Sequence, residues 1–199
     1  MPIDASSTPL SPVITGLNLL FAQDIADDAV FCAVVAKRLQ RALQGRWLPP
    51  DARRSSPDSY QRHLLHEDPA GRFSIGSFVW KPDQETPVHD HNGWSVVGVS
   101  EGELISENFQ ADRDGRLSRT SLIVLRPGVT TWLRPGADIH RLFNPSTWAN
   151  AISIHVYGSA FAAACRSRYD LSSGDHGNGG TGEASGSPAP VQPQPAWRR

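Results

Sequence analysis

Two imidazoles stand two residues apart in the segment TPVHDHNGWSVVGV, at His89 and His91. On an extended strand, residues i and i+2 leave the same face, so both rings can reach one metal ion. Pro87 stands at the start of that strand and the apolar run WSVVGV continues it. A histidine pair is a weak motif alone, because a solvated strand also carries polar residues on one face. A third ligand is offered by His140 in LRPGADIHRLFNP, after a Pro-Gly turn. Three imidazoles on a rigid scaffold leave half of an octahedral shell open, as in facial-triad iron sites, and they equally suit catalytic zinc. Spacing does not choose between the metals.

A second set with chemical potential is Ser153, His155 and Tyr157 in AISIHVYG. These alternate, so they share one face of one strand. Ser153 can orient His155, and His155 can hydrogen-bond the Tyr157 phenol. The competing reading is a half-buried strand with a polar face. His63 and His66 read as surface or supporting residues, and His176 falls in a Gly/Ser/Pro-rich tail.

The elements that must position these residues are legible from pattern. From Asp24 to Gln44, Ile25, Val30, Phe31, Val34, Val35, Leu39 and Leu43 recur at helical spacing. Acidic residues crowd the start and Lys37, Arg38 and Arg41 the end, which complements the helix dipole. Residues 1–12 carry prolines and small polar residues and read as loose. SYQRHLLHEDPAGR reads as a short helix or the entry to a strand. After Arg72 come short runs rich in Val, Ile, Phe, Thr and Trp, separated by Gly, Pro, Asn or Asp, the texture of an all-β sandwich or barrel. The expected organisation is a helical N-terminal region over 1–69, a β-barrel over 70–171 and a disordered tail over 172–199.

Composition narrows the partners. Lys+Arg is 19 against Asp+Glu 20, for a formal charge of -1 at pH 7, with no long basic run. Nucleic acid and anionic membranes are therefore not expected partners. The N-terminus lacks a basic, then apolar, leader pattern, and no apolar run is long enough to span a bilayer. A cytoplasmic protein is expected, with Cys32 and Cys165 as a buried, reduced pair.

PVHDHNGW…GVSEGEL followed by RPG…DIHRLFNP resembles the two motifs of the cupin superfamily, which implies a mainly β, double-stranded β-helix (jelly-roll-like) barrel. Many cupins add a carboxylate four to five residues after the histidine pair, where this chain has Ser95 and Val96. With that omission and Ser153-x-His155-x-Tyr157, the chain resembles the thiol dioxygenase family, cysteine dioxygenase and its bacterial 3-mercaptopropionate relative. The resemblance covers roughly residues 58–160. It implies Fe(II) on His89, His91 and His140, a relay of Ser153, His155 and Tyr157, and small-molecule thiol and O₂ as reactants. The implied reaction takes L-cysteine to cysteine sulfinate, with both oxygen atoms ending on sulfur.

The resemblance also implies a carboxylate site at Tyr60 and Arg62 in SYQRHLLHEDP. Members with arginine there resemble cysteine dioxygenases, and those with glutamine favour 3-mercaptopropionate. A guanidinium offers a carboxylate a bidentate fork. Gln61 lies beside Arg62, and Tyr60 two residues earlier favours the arginine register. Animal members cross-link a cysteine near the histidine pair to the tyrosine. Ser95 stands near that place here, and neither Cys32 nor Cys165 is expected to substitute, so Tyr157 is expected to be uncross-linked. The rival readings are a 3-mercaptopropionate dioxygenase, a non-catalytic metal-binding cupin, and a zinc or nickel enzyme on the same fold.

Overall fold

The structure, a computed structural model, describes residues 8–23, 25 and 27–171. The expected tail over 172–199, with His176, lies outside the described residues. Helix α1 spans Ser11–Ala22 and α2 spans Asp28–Ala42. Helix α1 corrects the expectation of a loose segment through residue 12. Pro12 sits in its first turn, where the missing N–H costs no helical bond, and Val13, Gly16, Leu17 and Leu20 form its buried face. Helix α2 is shorter than the apolar pattern suggested. It starts where the Asp27 carboxylate accepts from the backbone N–H of Ala29 at 2.8 Å, a side-chain cap.

Ten strands follow. They are β1 (Gln61–Glu67), β2 (Ser74–Trp80), β3 (Val88–His91), β4 (Ser95–Glu101), β5 (Leu104–Ala111), β6 (Leu117–Leu125), β7 (Thr130–Leu133), β8 (His140–Phe143), β9 (Ala151–Tyr157) and β10 (Cys165–Tyr169). SYQRHLLHEDP therefore resolves as a strand, inside the segment expected to be helical. It pairs antiparallel with β2, and Leu65 turns into the core.

The strands form two five-stranded antiparallel sheets, ordered β1-β2-β9-β4-β7 and β10-β3-β8-β5-β6. From β2 to β9 the chain switches sheets at every step except between β5 and β6, which pair as a hairpin in the second sheet, as in a jelly roll, the double-stranded β-helix of cupins. The mainly β expectation holds, with the two helices packed on one sheet.

Alternation on β9 explains how a polar set survives inside. Ile152, Ile154 and Val156 join Leu17, Val35, Leu39 and Ile75 in an apolar layer between the first sheet and the helices. The intervening Ser153, His155 and Tyr157 face the barrel interior, where Phe78, Trp80, Val97, Val99 and Leu142 pack. Every residue of β9 is buried, so neither face is open to water. The helix layer sits close because Gly98 has no side chain. A Cβ there would stand 2.6 Å from the Leu43 side chain of the α2 C-terminal end. Among the described residues, no helix is long and apolar enough to cross a membrane.

Candidate metal centre

His89 and His91 leave the same face of β3, and His140 lies opposite His89 across the β3–β8 pair. The ring centroids are 4.9 Å apart for His89–His91, 4.6 Å for His89–His140 and 4.9 Å for His91–His140. One ligand atom from each lies within 4.8 Å of the others, a span that one metal ion can bridge. Burial pushes His91 down to about 3 and His140 well below its ordinary value, with the neighbouring histidines adding to the effect. Both rings are therefore neutral, the form that ligates metal.

The donor set fits a metal on a second ground. Nδ1 of His91 and both ring nitrogens of His140 are buried without a hydrogen-bond partner. Such orphans are costly, and a coordinated cation removes the cost. His89 differs, because its Nδ1 lies 3.0 Å from the carbonyl of Pro87. A carbonyl only accepts, so Nδ1 carries the proton and Nε2 is left as the ligand atom.

Beside the imidazoles runs a polar chain anchored on a residue that pattern reading missed. Trp80 Nε1 donates to Ser153 Oγ at 2.9 Å. Ser153 Oγ lies 2.8 Å from His155 Nε2, and His155 Nδ1 lies 2.9 Å from the Tyr157 hydroxyl. The indole N–H can only donate, so the serine passes its own proton toward Nε2. His155 is held neutral, chiefly by burial. Its proton then belongs on Nδ1, donated to the phenol oxygen, a tautomer assigned from the donor count. That leaves the Tyr157 O–H free for the pocket, which it lines. Burial raises the Tyr157 phenol above its ordinary value, so it is a neutral donor. Phe78 stacks on the His155 ring at 3.8 Å and fixes its plane.

The three histidines, Tyr157, Tyr60 and Arg62 line one pocket. Gln61, on the opposite side of β1, does not, so the arginine register is the one that faces the site. The Arg62 guanidinium donates to the Phe161 carbonyl at 2.9 Å and lies 4.6 Å from the Phe161 ring centroid. Phe161 approaches β2 this closely because residue 76 is glycine. A Cβ there would stand 2.3 Å from the Phe161 ring.

Strand β10 brings two further residues to the site: Arg168, which sequence reasoning passed over, and Cys165, which it expected to be buried elsewhere. Cys165 lies opposite His91 and Arg168 opposite His89 across the β3–β10 pair, and both line the pocket. This corrects the expectation of two buried cysteines. Cys32 is buried in α2, which pushes its thiol up to about 12, but Cys165 is exposed at the mouth. The residue opposite Tyr157 on β4 is Ser95, so the cross-strand neighbour of the phenol carries no sulfur. Two carboxylates brace the ligand strand. Asp138 accepts from the backbone N–H of His91 at 2.9 Å. Asp90 accepts from the Arg166 side chain, the Ser167 backbone N–H at 2.7 Å and the Tyr169 hydroxyl at 3.0 Å. Burial opposes the Asp90 charge, yet these bonds hold the carboxyl below its usual range. His63 contacts the Arg54 carbonyl and His66 the Phe73 ring, and neither lines the pocket.

A jelly-roll barrel that brings three imidazoles within reach of one metal ion has the cupin fold with a candidate metal site. The chain belongs to the cysteine dioxygenase type I family, whose sequence pattern matches residues 2–172. That membership supports a dioxygenase of the thiol type, and the three imidazoles are compatible with a metal ion. Solved structures are similar over part of the chain. A protein from Thermus thermophilus is 21% identical with a TM-score of 0.44, over 53% of this chain and 89% of that one. A cupin superfamily protein from Desulfitobacterium hafniense is 14% identical with a TM-score of 0.42, over 59% and 92%. An oxalate oxidase in complex with the substrate analogue glycolate is 21% identical with a TM-score of 0.43, over 53% of each chain.

Proposed function

We propose that this chain is a cytoplasmic, non-haem Fe(II) thiol dioxygenase that oxidises L-cysteine with O₂ to cysteine sulfinate. The observation that carries this reading is the convergence on one pocket of three neutral imidazoles and the Tyr157 phenol, with Arg62 at the mouth. His89, His91 and His140 would hold the metal. When bound, iron supplies deprotonation of the thiol by coordination and electron transfer to O₂. The overall step, RSH + O₂ → RSO₂H, balances without an external reductant.

The chain's own residues do the rest. Arg62 takes the substrate carboxylate through the N–H groups not given to Phe161, and Tyr60 stands beside it in the pocket. Tyr157 offers its O–H to the carboxylate and the developing oxygen charge, with its direction set by His155, Ser153 and Trp80. Phe78, Leu142 and Ala164 add apolar lining that limits water.

The test is oxygen uptake by Fe(II)-loaded protein with L-cysteine and 3-mercaptopropionate in parallel, and mass analysis of the products. Uptake with cysteine and formation of its sulfinate is the expected result. A strong preference for 3-mercaptopropionate would reassign the carboxylate pocket. Bound iron with no uptake on either thiol would remove the dioxygenase reading and favour a metal-binding module.

A further inference from the structure

Arg62 is an exposed residue at the pocket mouth, where a long cation ordinarily samples many rotamers. Here it is clamped. Its guanidinium lies 4.6 Å from the Phe161 ring centroid and 5.4 Å from that of Phe78, in the notch of an edge-to-face pair whose centroids are 6.2 Å apart. Its Nη2 donates to the Phe161 carbonyl at 2.9 Å. Phe161 thus holds the cation with a ring and a backbone oxygen at once, yet it is not among the residues that line the pocket. Phe161 is itself fixed. The Glu67 carboxylate, at the end of β1, accepts from its backbone N–H at 3.0 Å. The strap 159–164 that carries it joins β9 to β10 and is pinned at both ends. Ser74 Oγ donates to the Ser159 carbonyl at 2.8 Å. Asn92, the neighbour of His91, donates from its side chain to the Ala163 carbonyl at 2.7 Å and from its backbone N–H to the Ala164 carbonyl at 3.1 Å. The ring fills the space that Gly76 leaves by having no side chain.

We propose that Phe161 is a positioning residue for the carboxylate site, holding Arg62 in the geometry that receives the substrate carboxylate and acting through Arg62 rather than by contact with substrate. The inference rests on the dioxygenase reading of the same pocket. The cation–π attraction and the carbonyl bond order the arginine before substrate arrives, so that less rotamer freedom is lost on binding. The clamp is also neutral. Among the described residues, no ion pair involves Arg62. An acidic side chain in place of the ring and carbonyl would orient the guanidinium equally well, but an incoming carboxylate would have to compete with it. A ring face and a backbone carbonyl fix the direction of the fork and leave its whole charge for the ligand.

Two measurements on wild type, Phe161→Leu, Phe161→Tyr and Gly76→Ala test this. The first is oxygen uptake by the Fe(II)-loaded proteins with L-cysteine. The second is calorimetry, without oxygen, of L-cysteine and of cysteamine binding to the Zn²⁺-loaded proteins. Cysteamine carries the same thiol and amine and lacks the carboxylate. Wild type should favour cysteine. Phe161→Leu should raise the cysteine KM and Kd about fivefold, the scale of a lost cation–π contact, and should leave kcat within about twofold. Its affinity for cysteamine should stay at the wild-type value. Phe161→Tyr keeps the aromatic face and should stay within about twofold of wild type throughout. Gly76→Ala alters a residue outside the pocket, but its methyl group would stand 2.3 Å from the Phe161 ring, so it should raise the cysteine KM in the same way.

An equal loss of affinity for cysteine and cysteamine in Phe161→Leu would mean that the ring supports the fold alone, and would overturn the positioning role. A wild-type cysteine KM in both Phe161→Leu and Gly76→Ala would do the same. Either result, with oxygen uptake by wild type, leaves the dioxygenase reading intact. No uptake by wild type with any thiol would overturn that reading instead. The calorimetry would then decide the clamp by itself: a preference for cysteine that Phe161→Leu loses would support it, and equal binding of the two thiols by wild type would overturn it too.

Discussion

The carboxylate of Asp90 is tied to the guanidinium of Arg166 across the β3–β10 pair, on the side of β3 opposite His89 and His91. Successive residues of a strand face opposite ways, so the residue between two ligand positions is free to brace the strand from behind. Asp90 uses that freedom to fix β10, and β10 carries Cys165 and Arg168 into the pocket. Asp90→Asn is expected to destabilise the protein by about 2–4 kcal/mol, since a buried charge with several donors loses its role. It should raise the thiol KM more than it lowers kcat, with metal stoichiometry retained. Urea unfolding, metal analysis and steady-state kinetics check this. A variant with wild-type KM would show that β10 is held by other contacts.

The orphan nitrogens of His140 lead to an expectation about stability without metal. His140 is 1% exposed and neither nitrogen has a partner. Replacing a buried, unsatisfied polar ring by an apolar side chain of similar size removes a desolvation penalty of about 1–3 kcal/mol. His140→Leu should therefore leave the metal-free protein as stable as wild type or more so, while abolishing the rise in Tm on adding Fe(II) or Zn²⁺. Thermal melts with and without metal decide. A large loss of stability in the metal-free variant would mean that the ring is held by packing rather than kept for a ligand.

Sequence reading reached the residues whose partners are close along the chain. His89 with His91, and Ser153 with His155 and Tyr157, are legible because a strand repeats every second residue. His140 was reached as the third ligand that the histidine pair needs and Arg62 through motif resemblance, and the fold then placed His140 opposite His89 and Arg62 at the pocket. Trp80, Asp90, Asp138 and Arg168 were passed over because nothing local marks them. Trp80 matters through a bond to Ser153, and Arg168 through pairing with β3, and such contacts depend on register between distant strands. Helix α1 was missed because Pro12 and the prolines and small polar residues before it resemble a loop until α2 and the sheet cover its apolar face.

The Trp80–Ser153–His155–Tyr157 chain makes the direction of the tyrosine proton testable. Tyr157→Phe should lower turnover about 10²-fold or more while leaving metal content unchanged, the scale of removing a preorganised donor. Trp80→Phe keeps an aromatic ring and removes the N–H to Ser153, freeing the serine proton to turn elsewhere. It should lower kcat by about tenfold with little change in KM, a positioning effect rather than a loss of substrate contact. Full activity in Tyr157→Phe at wild-type metal content would remove the phenol from the mechanism. Full activity in Trp80→Phe would place the orienting role in Ser153 and His155 alone.

Acid should loosen the tie between the barrel and α1. Asp68 is a buried carboxylate at the end of β1, and it accepts from Arg72 Nε at 2.8 Å, Arg72 Nη2 at 2.8 Å and the Arg72 backbone N–H at 3.1 Å. Arg72 Nη2 also donates to the Asn18 side chain of α1, and its guanidinium lies 5.1 Å from the Phe21 ring centroid. The hydrogen bonds from the Arg72 side chain hold the Asp68 carboxyl below its ordinary value of 3.8. A carboxyl depressed in the folded state binds its proton less readily there than in the unfolded chain. Its stabilisation is present in full above the unfolded value and is lost as pH falls through the folded one. Asp68→Asn should therefore cost about 1–3 kcal/mol at neutral pH, the range for hydrogen bonds to a charged group. The gap between wild type and variant should stay constant down to about pH 5 and shrink progressively below about pH 4. Urea unfolding of both proteins across this range measures it. A gap unchanged at the lowest pH would show that the charge of Asp68 contributes nothing beyond its shape.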